Sequence, residues 1–380
     1  MHNDIEVLAG RFGNRRGCTE EEQASANYLL GSFKSFSPFA YMDSFLTSES
    51  YFLLYAMYYT EFLIVSIIAI WAAQFATLYG VFIFVAYLLE CSGVRLLSRL
   101  MPPVESQNVV APFHVEKPKR LILVVAGYDT QIDGVLSKVL RSGYAHWIHR
   151  GVLLCMMMVI VSTASSNVEL FRYVDFPWLL TLRWAAVASL LGSAMMLYVH
   201  DKYGEDVRGA NNNASGVATL LNLAEDMNTA PLEHSDVWLV ALGNSYGSQE
   251  GIRHVLESAP QTVSETYVIN VQGVGCGQVH YLSKEGFMQT QAYGKALQTL
   301  AATLAPKHAL SPGVYRGLPT PGFWPNQHGY PTLSLMGLEN RIDAPHAWSE
   351  KDRHSEIDSE SLEQVTAFTH EVLQALDSAD

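Results

Sequence analysis

The sequence has 380 residues and a formal net charge of −13, with 37 acidic residues against 24 Lys and Arg. This balance excludes a nucleic-acid-binding protein, because neutralising phosphates requires clustered Lys and Arg, and no such cluster is present in the sequence. The four cysteines form no CxxC pair, which argues against a disulfide framework or a zinc–thiolate site.

The first predicted element is a helix near the start of the chain. Thr19 is followed three residues later by Glu22, the pattern of a capping box at a helix N-terminus. The segment before it is polar and has no apolar core, so we expect no signal peptide at this end.

Two long apolar segments follow. Residues 51–98 accommodate two membrane-spanning helices of about 20 residues each, with the turn near Ala73–Thr77. A second pair lies at 151–168 and 178–199. Such length and apolarity favour membrane spans over buried core helices. The sequence therefore predicts four transmembrane helices in two hairpins, at 51–98 and 148–199.

Charged residues around the spans predict their orientation. Lys and Arg flank them on the side of the polar chain, at Arg95, Arg99, Lys138, Arg141, Arg150, Lys202 and Arg208. The opposite side has Arg172 and Arg183, with Glu169 and Asp175 nearby. The positive-inside rule then predicts a protein of the inner, cytoplasmic membrane with its polar domain in the cytoplasm. Its expected partners are the lipid bilayer and other membrane-protein subunits, and no nucleic acid.

The predicted spans carry two unusual features. The first hairpin contains Glu61 and Glu90, and carboxylates inside a membrane are costly and often functional. Alternatively, these side chains lie near the interface and reach headgroups, or pair with Arg95. The last span carries small residues that allow close helix packing, within this protein or against another subunit: Ala188, Ser189, Gly192 and Ser193.

The remaining chain, residues 1–50, 99–147 and 200–380, predicts a single α/β domain. Strand patterns occur in "SQNVVAPF", "RLILVVAG", "VWLVALG", "TYVINVQG" and "YPTLSLMG", and helix patterns in "ASGVATLLNLAEDM" and at 359–377. Strands alternating with helices indicate a mixed, largely parallel sheet sandwiched by helices. The acidic stretch 348–363 indicates solvated surface.

The order and spacing of these segments resemble the di-zinc aminopeptidases of metallopeptidase family twenty-eight, whose relatives include glutaminyl cyclases and a domain of nicastrin. "RFGNRRGCTEEEQASANYL" is similar to the opening helix of the family, and "SQNVVA" to the strand before the first metal motif. "GANNNASGVATLLNLAEDM" is the most specific match. The resemblance implies a zinc-exopeptidase-like fold with two inserted hairpins. In active members, five side chains bind two zinc ions and a sixth is the general base.

The resemblance also assigns the ligand and base positions of this chain, and none carries the expected residue. In chain order they hold Gly127, Asn212, Ser245, Tyr246, Gln272 and Gly322, while Asp129, which would orient the first ligand, remains. Replacement ligands at His328, Glu250 or His280 would require shifts of several residues. We therefore expect no metal and no other cofactor.

From these substitutions, the sequence favours a catalytically inactive, membrane-embedded scaffold or regulatory subunit, with a peptide segment as a candidate ligand of the former cleft. One alternative is an active membrane-bound peptidase or amidase, with displaced metal ligands or with Ser245 of "GNSYG" as nucleophile. Another is lipid or ion handling through Glu61 and Glu90.

Overall fold

The computed structural model describes residues 2–48, 50–141, 144–166, 177–246, 249–286, 290–339 and 344–379. The chain divides into two compact units. The α/β unit comprises Met1–Thr47, Val104–Asp133 and Glu205–Asp380, and the helical unit comprises Ser48–Pro103 and Gly134–Gly204. The described residues 134–141 and 144–147 therefore belong to the helical unit rather than to the sheet.

The described strands all belong to the α/β unit. They are β1 (Tyr41–Thr47), β2 (Val104–Phe113), β3 (Arg120–Gly127), β4 (Ile132–Asp133), β5 (Glu205–Asp206), β6 (Ser235–Leu242), β7 (Thr266–Gln272), β8 (Gln278–Glu285), β9 (Gln291–Ala292), β10 (Ser311–Tyr315) and β11 (Thr332–Leu338).

The described helices are α1 (His2–Glu6), α2 (Glu20–Lys34), α3 (Tyr51–Ile68), α4 (Ala73–Cys91), α5 (Val135–Arg141), α6 (Ala145–Ser165), α7 (Pro177–Tyr203), α8 (Ser215–Thr229), α9 (Glu250–Ser258), α10 (Lys295–Leu304), α11 (Phe323–Gln327) and α12 (Ser359–Ser378). Of these, α3 to α7 form the helical unit. Two π-helical turns, Val7–Arg11 and Ala210–Ala214, precede longer elements, and short 3₁₀ turns lie at Ser98–Leu100, Ala305–His308 and His354–Glu356.

The main sheet has the order β1-β2-β6-β3-β7-β11-β8-β10, and β9 pairs with β8. The central strands β6, β3, β7 and β11 are parallel to one another. The β1–β2, β2–β6, β11–β8 and β8–β9 pairs are antiparallel, whereas β10 is parallel to β8. This mixed, largely parallel sheet flanked by helices confirms the predicted fold class.

The central strands are continuous apolar runs because helices cover both faces of the sheet. Along β3, alternate residues point to opposite faces. Ile122 and Val124 pack in the cluster that includes α8 and α12, whereas Leu123 and Val125 pack in the cluster that includes α9. Both predicted helices bury an apolar face: Val217, Leu220 and Leu221 of α8, and Leu362, Val365 and Phe368 of α12.

Both segments of the helical unit leave and re-enter the α/β unit at paired residues. Thr47 at the end of β1 is the register partner of Val104 at the start of β2. Asp133 at the end of β4 is the partner of Glu205 at the start of β5. Each insertion therefore occupies the place of a turn between two antiparallel strands.

Four helices of the helical unit are long and apolar enough to cross a membrane: Tyr51–Ile68, Ala73–Cys91, Ala145–Ser165 and Trp178–Tyr203. Their shared interior includes Phe62, Val65 and Met156, whereas large apolar side chains such as Trp71 and Phe82 are exposed. The first turn lies between Ile68 and Ala73, slightly earlier than predicted.

Candidate functional site

Most of the residues that the resemblance assigns to the metal positions lie together at one edge of the sheet. Strands β3, β6 and β7 run parallel, so their carboxyl ends lie side by side, where ligand sites of such sheets form. Asp129 follows β3, Ser245 and Tyr246 follow β6, and Gln272 ends β7. The π-helical turn Ala210–Ala214 brings Asn212 to the same edge, where it contacts Tyr246 and Gln272.

Ser245 and Asp129 form the closest contact between a hydroxyl and a carboxylate at this edge. Ser245 donates to Asp129 Oδ1 from its backbone N–H at 2.9 Å and from Oγ at 2.5 Å. Both side chains are almost completely buried. Burial raises the pKa of Asp129 to about 6, although the two bonds from Ser245 act in the opposite direction. The pair has the hydrogen bond expected between a nucleophile and its base.

A second group of buried side chains, which we name the amide–phenol cluster, comprises Asn212, Asn213, Tyr246 and Gln272. Asn212 Nδ2 and Gln272 Nε2 both donate to Tyr246 Oη, and Asn213 Nδ2 lies 3.4 Å from the same oxygen. Burial raises the pKa of the Tyr246 phenol well above its usual value, so the phenol is neutral at physiological pH. The cluster therefore places uncharged groups at three of the positions that the resemblance assigns to metal ligands and the base.

The asparagine turn is held by a carboxylate that the sequence does not indicate. Asp352 accepts bonds from the backbone N–H groups of Asn211 at 2.5 Å and Asn212 at 3.1 Å. These N–H groups open a helix and lack partners within it, which favours a carboxylate there. Asp352 is 1% exposed, so the prediction of solvated surface for 348–363 is wrong at this residue. Burial raises its pKa to about 6 against the opposing effect of the two N–H bonds.

Arg15 is another residue that the sequence did not indicate, and its hydrogen bonds connect three segments of the chain. Its fully buried guanidinium donates to the carbonyls of Tyr128, Phe12, Arg208 and Gly209 at 2.8 to 3.3 Å, and to that of Leu8. Burial lowers its pKa to about 10, while Asp352 and Asp129 favour the charged form. Arg15 is therefore a cation at neutral pH that balances the two buried carboxylates.

Glu22 forms hydrogen bonds beyond those of the predicted capping box. Thr19 accepts from the Glu22 backbone N–H at 3.2 Å, which confirms the predicted cap. The Glu22 carboxyl group accepts from the Cys18 backbone N–H at 2.7 Å, from the Asn244 backbone N–H at 2.8 Å and from Ser106 Oγ. Burial, followed by the charge of Asp129, raises its pKa to about 8. Glu22 thus fixes the loop that carries Ser245.

The residues at this edge do not fit a di-zinc centre. A Cβ at Gly127 would lie 2.2 Å from Ser245 Oγ, and a Cβ at Gly322 would lie 2.1 Å from Ser334 Oγ, so hydroxyl groups occupy the space of ligand side chains at both positions. Zinc requires several His, Cys or carboxylate ligands, and no group of three or more such residues that could hold a metal occurs in the described ranges.

The three candidate replacement ligands each contact a different part of the α/β unit. His328 is exposed and stacks on Trp324 with ring centroids 3.8 Å apart. Glu250 pairs with Arg253 at 3.1 Å. His280 lies within β8, with Nδ1 3.1 Å from the Ser311 carbonyl oxygen. The described residues thus give no support to a displaced metal site.

The two acids of the first hairpin bond to different parts of the helical unit. Glu90 accepts from the backbone N–H groups of Leu96 and Leu97 at 3.0 and 2.9 Å and from Ser98 Oγ, which closes the loop after α4. Glu61 accepts from Tyr79 Oη at 2.6 Å. These hydrogen bonds give each carboxylate partners within the helical unit.

The small-residue stripe of the last span faces away from the helical core. Ala188, Ser189 and Gly192 are exposed and Ser193 is half-buried. The buried face of α7 is formed instead by larger neighbours such as Val187 and Leu190. Of the charged residues on the opposite side of the spans, Arg183 is described, whereas Glu169, Arg172 and Asp175 lie outside the described residues.

Comparisons with known proteins agree with this architecture. The family described as Peptidase family M28 matches residues 192–373. The fold is similar to a glutaminyl cyclase from Porphyromonas gingivalis (12% identity, TM-score 0.54, covering 99% of this chain and 96% of that one). It is also similar to a Zn-dependent exopeptidase from Parabacteroides distasonis (12%, 0.55, 98% and 96%) and to BSAP, a zinc aminopeptidase from Bacillus subtilis (13%, 0.54, 98% and 94%). A search of curated proteins finds no match.

These comparisons correct the expectation of an inactive scaffold or regulatory subunit. The matched family is a peptidase family, and the similar structures are those of aminopeptidases, an exopeptidase and glutaminyl cyclases. The residues at the assigned metal positions argue against zinc chemistry at this edge, but they do not by themselves make the chain inactive. The alternative of an active peptidase or amidase agrees better with the comparisons.

Proposed function

We propose that this chain, which has the M28 aminopeptidase and glutaminyl cyclase-like fold, is a membrane-anchored hydrolase of amide bonds with Ser245 as its nucleophile. The observation that carries the proposal is the hydrogen bond from Ser245 Oγ to Asp129 Oδ1 at the carboxyl edge of the sheet. Similar structures described as an exopeptidase and an aminopeptidase support the amide bond as the class of substrate.

The proposed reaction uses this chain's own side chains. Ser245 Oγ attacks the carbonyl carbon of the amide, and its proton passes to the Asp129 carboxylate. When the tetrahedral intermediate collapses, the C–N bond breaks and Asp129 returns the proton to the departing amine. Water then attacks the Ser245 ester with Asp129 again as base. This step releases a carboxylic acid and restores the serine.

The carboxylate base suits this environment. Because burial raises the pKa of Asp129 to about 6, the group is mostly ionised at neutral pH and is a stronger base than an ordinary aspartate. The Ser245 bonds and the nearby charge of Arg15 favour that ionised form. We therefore expect activity to rise as pH increases through about 6.

The helical unit supports a membrane location. Its four apolar helices would lie in the lipid bilayer of the inner membrane, with the α/β unit on the cytoplasmic side, as the flanking basic residues predict. The outward stripe of Ala188, Ser189 and Gly192 is the place where a helix of another membrane subunit would pack.

The full chain in mild detergent tests the proposal when it is assayed on aminoacyl amides and short peptides, with and without a chelator. We expect hydrolysis that a chelator leaves unchanged. Replacing Ser245 by Ala, or Asp129 by Asn, should lower kcat by about 10²-fold or more. Ser334→Ala is the matched control, since it removes a buried hydroxyl of a neighbouring strand.

Two outcomes would contradict this function. Full activity of Ser245→Ala would exclude the serine as nucleophile. Loss of activity on chelation, with stoichiometric zinc in the purified chain, would instead establish a metal route that the described residues do not indicate.

A further inference from the structure

Three side-chain amides of the amide–phenol cluster direct N–H groups at a single oxygen. Asn212 Nδ2, Asn213 Nδ2 and Gln272 Nε2 all contact Tyr246 Oη, and all four side chains are at least nine-tenths buried. These donors come from the turn before α8 and from the end of β7, so backbone elements fix their positions.

Each amide is held in its orientation by a second bond. Asn212 Nδ2 also donates to Asn213 Oδ1 at 3.2 Å, and Gln272 Nε2 donates to the Asn212 carbonyl at 2.9 Å. Asn213 Nδ2 donates to the Asp129 carbonyl. Turning any of these amides over would set two oxygens against each other. The three donors therefore point at the Tyr246 oxygen whatever occupies that place.

The phenol is an imperfect match for these donors. A neutral phenol oxygen has two lone pairs, whereas three N–H groups converge on it. An anionic oxygen accepts more bonds and forms stronger ones with the same donors. Gln272 Oε1 is also left without a hydrogen-bond partner in the described part of the chain, although Gln272 is 2% exposed. The cluster thus offers three donors and one acceptor that Tyr246 does not fully satisfy.

We propose that the amide–phenol cluster binds the anionic acyl oxygen of a ligand, and that the Tyr246 phenol takes this place when no ligand is bound. The choice of ligand rests on the proposed function. The acyl oxygen of an amide becomes anionic when the nucleophile attacks, and the N–H of the leaving amine could donate a hydrogen bond to Gln272 Oε1. The carboxylate of the acid product has the same anionic oxygen and is a stable probe.

Tyr246 then has two roles. It fills the buried cleft and satisfies most of the donors in the resting protein, and its withdrawal exposes them together with the neighbouring Ser245. Asn213 links the two groups directly, since its Nδ2 contacts both the Asp129 carbonyl and Tyr246 Oη. An oxygen bound on the cluster would therefore share a hydrogen-bond donor with the backbone carbonyl of the proposed base.

The test measures binding of acetate to the full chain in detergent by thermal denaturation, at constant ionic strength with chloride as control. All variants carry Ser245→Ala, so binding is measured without any turnover. We expect acetate at about ten times its Kd to raise the midpoint of Tyr246→Gly by about 2–4 °C, and chloride to raise it much less. Adding Gln272→Leu should make the shift of the midpoint with acetate equal to that with chloride.

Tyr246→Phe provides a second variant that keeps the ring and removes only the oxygen. It should bind acetate more tightly than the Ser245→Ala parent, because the donors are then unpaired. Equal effects of acetate and chloride in both variants would overturn the inference, as would an acetate response that survives Gln272→Leu. Neither result depends on hydrolysis, so a failure of the proposed activity is recognised separately, by the amide assay.

Discussion

The hydroxyl of Ser245 fills the space that a side chain at Gly127 would need. A Cβ built at Gly127 would lie 2.2 Å from Ser245 Oγ and 2.9 Å from Ser245 Cβ, both shorter than any normal contact. Gly127 ends β3, where the backbone has little freedom to move because β6 and β7 pair with that strand on either side. The absence of a side chain at 127 and the position of the serine therefore depend on each other.

Replacing Gly127 by Ala should destabilise the α/β unit by about 1–3 kcal/mol, the usual cost of overpacking. Adding Ser245→Gly should recover part of that loss, because it removes both atoms that the new methyl group meets. Chemical denaturation of the single and double variants measures this coupling. Gly31→Ala is the control, since nothing beyond its own helix backbone and chain neighbours lies within 4 Å of its Cβ position. If the double variant loses as much free energy of unfolding as the two single variants together, the contact between position 127 and Ser245 is contradicted.

Stability should fall as pH rises from about 5 to 8. Glu22 has its pKa raised to about 8, so the folded state keeps its proton where the unfolded chain has lost it. Its stabilising contribution is complete below the unfolded pKa and is lost as pH passes through the folded value. For one proton, the free energy of unfolding can fall by about 1.4 kcal/mol per pH unit.

Thermal denaturation across this range should therefore give a flatter profile for Glu22→Gln than for the natural chain. Glu225→Gln, an exposed position on α8, should leave the profile unchanged. An unaltered slope in Glu22→Gln would show that other groups produce the pH dependence.

Removing Asp352 should loosen the asparagine turn. Asp352→Ala leaves the N–H groups of Asn211 and Asn212 without their acceptor, at a cost of about 1–3 kcal/mol each. Hydrogen exchange should show faster exchange of these two amides before any change in α8. Glu225→Ala again serves as control. Unchanged protection of both amides would mean that the carboxylate does not hold the turn.

The proposed orientation predicts which positions an impermeant thiol reagent reaches in intact cells. Val263 is exposed in the α/β unit, and Ser166 is exposed just after α6. In a chain whose natural cysteines are replaced, Ser166→Cys should react in intact cells and Val263→Cys only after permeabilisation. The reverse pattern would place the α/β unit outside the cytoplasm.

The sequence predicted the elements whose burial follows a regular pattern. The strands β3, β6, β7 and β11 are apolar runs and α8 has an apolar face, so local periodicity identifies them. It missed β8, whose sequence "QVHYLSKE" mixes polar and apolar residues, and β10, which contains Pro312 and Gly313. Pairing with neighbouring strands, rather than local pattern, makes these segments extended.

The site was predictable only in part for a related reason. The resemblance identified Asn212, Tyr246 and Gln272 as neighbours, but not that their polar atoms meet at one oxygen. Arg15 and Asp352 were missed because their partners lie far away in the sequence. Arg15 donates to Tyr128, and Asp352 accepts from Asn211. A buried charge is recognisable only when the backbone groups that surround it are known.

The pairing of Thr47 with Val104 and of Asp133 with Glu205 makes the helices separable from the sheet. Since each insertion begins and ends on adjacent strands, a tight turn of two residues is enough to reconnect the chain at either point. A protein shortened in this way would keep every strand and both buried carboxylates of the site while losing all four apolar helices. Simple loop replacement at these two points would therefore give the α/β unit without the helical unit.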